Sequence, residues 1–157
     1  MRQGRDSAGF TLLEALVVCA ILGVVLGVGF FVATRAVRQG AVREAAFLVA
    51  SDLRAARFEA VRSSLVQVFS WPSEARETVG YTMASGNRSL SRVLPSGTRL
   101  VCVTCPVGRV IVTYTPPYAE LAAAIGVVLR VEGVPGTRPL LVKIVGITGK
   151  VMVTGDE

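Results

Sequence analysis

The chain has 157 residues, 52% of them hydrophobic, with seventeen basic side chains against eleven acidic ones and a formal charge of +6. That length holds one ordinary domain besides a distinct apolar segment. There is no histidine, which removes the commonest general base and metal ligand and excludes a His-based triad or zinc site. The positive balance is arginine apart from Lys143 and Lys150; it suits a polyanion or an anionic lipid and specifies neither.

The first element is apolar. From Phe10 to Ala33 the only polar residues are Thr11 and Glu14, and roughly 20 such residues cross the hydrocarbon core as a helix. The run exceeds the h-region of about 7–15 residues in a secretory signal, and no A-x-A cleavage box follows. A lipoprotein signal fails too, because Cys19 follows Leu16, Val17 and Val18 where small residues are required. Arg2 and Arg5 precede the span, whereas Arg35, Arg38 and Arg43 follow it. By itself that bias turns the C-terminal part inward. Glu14 is the anomaly, since a carboxylate at membrane depth costs about 3 kcal/mol unless paired. It is either a functional acid or a solvated one at the interface, a turn inside the helix.

Ahead of the span lies a short polar leader, "MRQGRDSAG", and then Gly9-Phe10-Thr11-Leu12-Leu13-Glu14. This arrangement resembles the processing site of type IV prepilins and type II secretion pseudopilins. The resemblance implies that a prepilin peptidase/methyltransferase cuts between Gly9 and Phe10 and N-methylates Phe10. It further implies that Glu14 acts in assembly, meeting the terminal amine of a neighbouring subunit's Phe10. The partners it implies are other pilin or pseudopilin subunits, an inner-membrane assembly platform and membrane lipid. Many major pilins have a proline midway along this helix; here Gly23, Gly27 and Gly29 stand there instead.

After Arg35 the pattern becomes amphipathic. Val42, Ala46, Val49, Leu53, Ala56 and Ala60 recur at steps of three and four, one continuous apolar stripe along a helix. Arg38, Arg43, Arg54, Arg57 and Arg62 lie largely off it, and Gly40 is a weak point. Beyond Ser64 the period changes to two. "LVQVFSW", "RLVCVT", "RVIVTYT", "GVVLRVE", "LLVKIVGIT" and "KVMVT" alternate between turn signals such as Ser85-Gly86-Asn87, Pro116-Pro117 and Gly149, which predicts an antiparallel domain of six to eight strands. "AELAAAIG" reads as a helical turn or a loop. The expected fold is therefore α+β and pilin-like: a long N-terminal helix, its first half membrane-embedded, packed on a small antiparallel β head. The expected divisions are 1–9 leader, 10–34 transmembrane and assembly segment, 35–63 amphipathic helix and 64–157 β domain. Within the family, "LPSGTRLVC" and "ITGKVMV" are similar to the H-type minor pseudopilins and related DNA-uptake minor pilins.

Cys19 lies in the span as a small hydrophobe. Cys102 and Cys105 form a lone C-x-x-C with no second pair to complete a zinc site. In an extracytoplasmic head they form a disulfide or remain two thiols. Glu120 and Glu132 stand isolated, no Ser or Thr has a base partner, and no phosphate-binding loop follows a strand; the chain reads as non-enzymatic, with no cofactor and no metal. Some minor pilins of the resembling type bind DNA through Gly-Arg-x-Arg near the C-terminus, for which Gly149-Lys150-Val151-Met152 is the nearest match, with Met at the second arginine. Lys150 is thus either a phosphate contact, joined by Lys143, Arg130 and Arg138 if their strands are neighbours, or an ordinary hairpin cation. The reading is a processed structural subunit of a pilus or pseudopilus, held in the inner membrane with its head outside the cytoplasm before assembly. The alternative is a membrane-anchored binding module that does not polymerise.

Overall fold

A computed structural model describes residues 12–71, 77–104, 111–121 and 126–156, Ile111 by its backbone alone. One helix, α1, runs from Leu12 to Ser63, and the chain divides into two compact units, Met1–Ala36 and Val37–Glu157. The described part of the first unit is helical and, apart from half-buried Thr34, exposed. Its apolar window has a mean hydropathy of 2.9 and no buried residue, so this stretch is long and apolar enough to cross a membrane.

The second unit begins with the rest of α1. Val42, Ala45, Ala46, Val49, Ala50, Leu53, Ala56 and Ala60 are its buried residues. The i, i+3/i+4 stripe therefore lies against the core, and its alanines let the helix backbone approach closely. Ser64 takes a positive φ of 53°, the left-handed turn that commonly ends a helix.

Ten strands follow among the described residues. Gln67–Ser70 (β1), Glu77–Thr78 (β2), Gly80–Ser85 (β3), Arg88–Val93 (β4) and Arg99–Thr104 (β5) come first. Ile111–Thr115 (β6), Glu120–Leu121 (β7), Val127–Glu132 (β8), Leu140–Val145 (β9) and Lys150–Gly155 (β10) complete them. They build two five-stranded sheets, in the orders β4-β3-β1-β6-β7 and β10-β9-β8-β5-β2, and every pairing is antiparallel. The expected fold, a long helix on an antiparallel head, is the one found.

The strand count exceeds the expected six to eight for a physical reason. β4 is exposed at all six positions, so "RSLSRV" has no buried face to impose an apolar alternation. β2 and β7 have two residues each, too few for a period. β7 also lies in the segment expected to be a helical turn or loop: Glu120 and Leu121 pair with Thr115 and Tyr114, while residues 122–125 lie outside the described residues.

Trp71, Tyr81, Tyr114 and Phe69 are the largest fully buried side chains. The Phe69 and Tyr81 rings lie 4.7 Å apart at 32°, within the range of favourable aromatic pairs. The core thus sits between the Val42–Ala60 stripe and the inner faces of the sheets.

Candidate assembly and interaction surfaces

Polar side chains fasten the helix of the second unit to both sheets. Tyr81 Oη on β3 donates to Asp52 Oδ2 at 2.7 Å, and Arg92 Nε on β4 approaches the same oxygen at 3.3 Å. Burial, then the bond to Asp52, pushes the Tyr81 phenol far above its ordinary range. On the other side, Arg54 Nη2 donates to the Val151 carbonyl of β10 at 3.3 Å. Arg54 lies off the apolar stripe by periodicity, and its length lets it reach the edge of the second sheet from there.

The face of this helix turned from the head is partly apolar. Phe47 and Phe58 are 53% and 68% exposed, and their separation of eleven residues is close to three helical turns, which puts them on one face. Ser51 and Ala55, also exposed, lie between them. Sequence reading passed over this pair because the buried stripe accounted for the helix.

Gly9 and Phe10 lie outside the described residues. Glu14 is in the first turn of α1, exposed along with the span around it. Cys102 on β5 is 5% exposed and disulfide-bonded; Cys105 lies outside the described residues. Cys19 is a free, exposed thiol.

The cations proposed to join Lys150 are only partly brought together. β10, β9 and β8 are neighbours, and Lys150 and Lys143 share the outer face, opposite Val145 and Met152 respectively. Arg130 is occupied by acids, with Nε 3.0 Å from Asp156 Oδ2 and Nη1 3.5 Å from Glu132 Oε1. Arg138 lies apart in the β8–β9 connection, where its backbone bonds Gln39. Gly149 has a packing role besides: its φ is +62°, and a Cβ there would stand 2.6 Å from the Tyr114 ring. Burial raises the Tyr114 hydroxyl, 3.4 Å from the Gly149 carbonyl, to a pKa of about 12.

Glu132, read as isolated, is in an ion ladder. Arg99 Nη2 lies 2.9 Å from it and Arg99 Nη1 3.3 Å from Glu77, which continues through Arg130 to Asp156. Sequence separation hid these partners, and antiparallel pairing of β5 with β8 sets Arg99 directly opposite Glu132. An open cleft of about 620 Å³ beside this pair is lined largely by Gly, Pro, Val and Thr.

Residues 4–30 match the family described as the prokaryotic N-terminal methylation motif. No curated protein matches the sequence. Two crystal structures of the type IV minor pilin FimU of Pseudomonas aeruginosa (strain PAO1) share the fold. The form in space group P65 superposes with a TM-score of 0.58 at 15% identity, covering 73% of this chain and 97% of that one. The form in space group P21 has the same TM-score and identity, covering 74% and 92%. The chain thus carries a prokaryotic N-terminal methylation motif at its start and shares the fold of a type IV minor pilin.

Proposed function

We propose that the chain is a minor pilin, a non-enzymatic subunit that enters a filament by its N-terminal helix and displays its β head. In this reading the peptidase cuts between Gly9 and Phe10, Phe10 is N-methylated, and Glu14 neutralises a neighbouring subunit's terminal amine. The apolar half of α1 holds the subunit in the inner membrane, head outside the cytoplasm, until assembly. The observation that carries it is the methylation motif over residues 4–30 together with an apolar window of α1 that has no buried residue. Such a surface requires either lipid or the helices of other subunits. Phe47 and Phe58 offer a second apolar contact face on the helix of the head. The bridge from Cys102 is taken to close on Cys105.

Mass spectrometry of the mature chain tests the reading. A methylated Phe10 at the N-terminus supports it; an intact Met1 returns the chain to an anchored module that does not polymerise. Whether the filament serves a pilus, secretion or DNA uptake is a finer assignment. Exposed Lys150 and half-buried Lys143 on one sheet face favour a phosphate-directed, non-specific contact with DNA as a second role.

A further inference from the structure

The arginines that follow the apolar segment serve neither processing nor the core. Arg38 and Arg43 are exposed on α1. The β8–β9 connection, residues 133–139, is bound to the same stretch of helix. Gln39 Nε2 donates to the Arg138 carbonyl at 3.0 Å, and Gln39 Oε1 accepts from the Arg138 N–H at 2.8 Å. One side chain thus holds both backbone groups of one residue, which leaves the exposed Arg138 guanidinium outside the clamp. Gly133 lies against the helix so closely that a Cβ would stand 2.5 Å from Val42 Cγ2. The Thr137 N–H and hydroxyl both donate to the Val134 carbonyl, at 3.2 and 2.8 Å, closing a tight turn. Its exposed tip is Val134-Pro135-Gly136.

One end of the head therefore presents three arginines around a short apolar tip. Glu44 is the acid on this stretch of helix, and Glu132 at the foot of the connection is held by Arg99 and Arg130. Six residues of chain take Ala33, the end of the apolar run, to Gln39. A guanidinium pairs with phosphate in a two-pronged fork, and basic residues just outside a span are attracted to an anionic leaflet. An apolar tip among them suits the headgroup boundary.

We propose that Arg38, Arg43 and Arg138, with the Val134–Gly136 tip, form a membrane-docking surface that holds the head on anionic phospholipid headgroups while the subunit resides in the bilayer. This rests on the reading that the apolar half of α1 spans the membrane. It also accounts for the basic excess after the span: these arginines bind headgroups on the outer leaflet and do not mark a cytoplasmic flank.

The test uses the full chain carrying Cys19→Ala and Val134→Cys, labelled at residue 134 with an environment-sensitive fluorophore. It is reconstituted into nanodiscs of phosphatidylcholine with or without phosphatidylglycerol. Co-elution with the discs reports spanning separately, so its loss overturns the membrane reading and not the docking surface alone. Docking predicts blue-shifted emission and several-fold stronger quenching by headgroup-labelled lipid in the anionic discs. Both effects should disappear at about 1 M salt, where the Debye length is about 3 Å. They should also disappear in Arg38→Glu/Arg138→Glu, which keeps the backbone bonds to Gln39, with unchanged Trp71 fluorescence checking the fold. The same label at Asn87, on the β3–β4 turn, should report water throughout. Equal emission in both lipids, or indifference to charge reversal while the chain remains disc-bound, overturns the proposal.

Discussion

Tyr81 donates a 2.7 Å hydrogen bond to Asp52 across 29 residues of sequence, joining β3 to the helix at the edge of the buried stripe. Arg92 converges on the same carboxylate oxygen. Hydrogen bonds to charged groups contribute about 1.5–3 kcal/mol. Tyr81→Phe should therefore lower unfolding stability by about 2 kcal/mol, read from urea denaturation through Trp71, the single tryptophan. In a double-mutant cycle with Asp52→Asn, the two losses should be less than additive. Additive losses would mean that the bond contributes nothing of its own.

Stability should fall under alkaline conditions. Both buried tyrosines have folded pKa values above the unfolded value of about 10, Tyr114 at about 12 and Tyr81 higher still. The unfolded state therefore loses its phenolic protons first, and the stability present below pH 10 is lost as pH rises through 12. Tyr114→Phe should flatten part of that decline. A wild-type profile level from pH 9 to 12 would contradict it.

Processing should stop in Gly9→Leu, because a bulky side chain would stand directly before the proposed Gly9–Phe10 cut. The expected product is an unprocessed, membrane-bound precursor, distinguishable by gel mobility and intact mass. A variant that matures to the normal size would remove the motif's assigned role.

Glu14→Leu should still insert and be cleaved, since the change makes the span more apolar. Its incorporation into filaments should drop at least tenfold, because removing one partner leaves a terminal amine uncompensated in an apolar setting. Quantitative blotting of sheared filaments measures this. Undiminished incorporation would leave Glu14 as an interfacial acid.

DNA binding by the chain should be weak, with Kd on the order of 10⁻⁴–10⁻⁶ M at physiological salt and a steep salt dependence. Lys150→Glu and Lys143→Glu should each weaken it in an anisotropy titration, whereas Arg130→Gln should have less effect, Arg130 being already engaged by Asp156 and Glu132. Binding indifferent to salt and to both lysines would confine the protein to filament architecture.

Local pattern alone determined much of this protein. An unbroken apolar run from Phe10, a Gly-Phe step ahead of it and a stripe from Val42 to Ala60 are short-range features, and a helix turns such spacing directly into faces. The six alternating stretches became β1, β5, β6, β8, β9 and β10 because a half-buried strand writes its two faces into its own residues. β3 and β4 left no such record: the fully exposed β4 depends for its existence on its ladder with β3. The polar ties were decided only in three dimensions. Asp52 with Tyr81, Arg99 with Glu132 and Gln39 with Arg138 are pairs 29, 33 and 99 residues apart. No periodicity reaches that far; strand order and the path of the helix across both sheets bring these groups together. The same distinction explains the cations. Sequence supplies Lys143, Lys150, Arg130 and Arg138, but strand pairing and neighbouring acids decide which of them remain exposed for a partner.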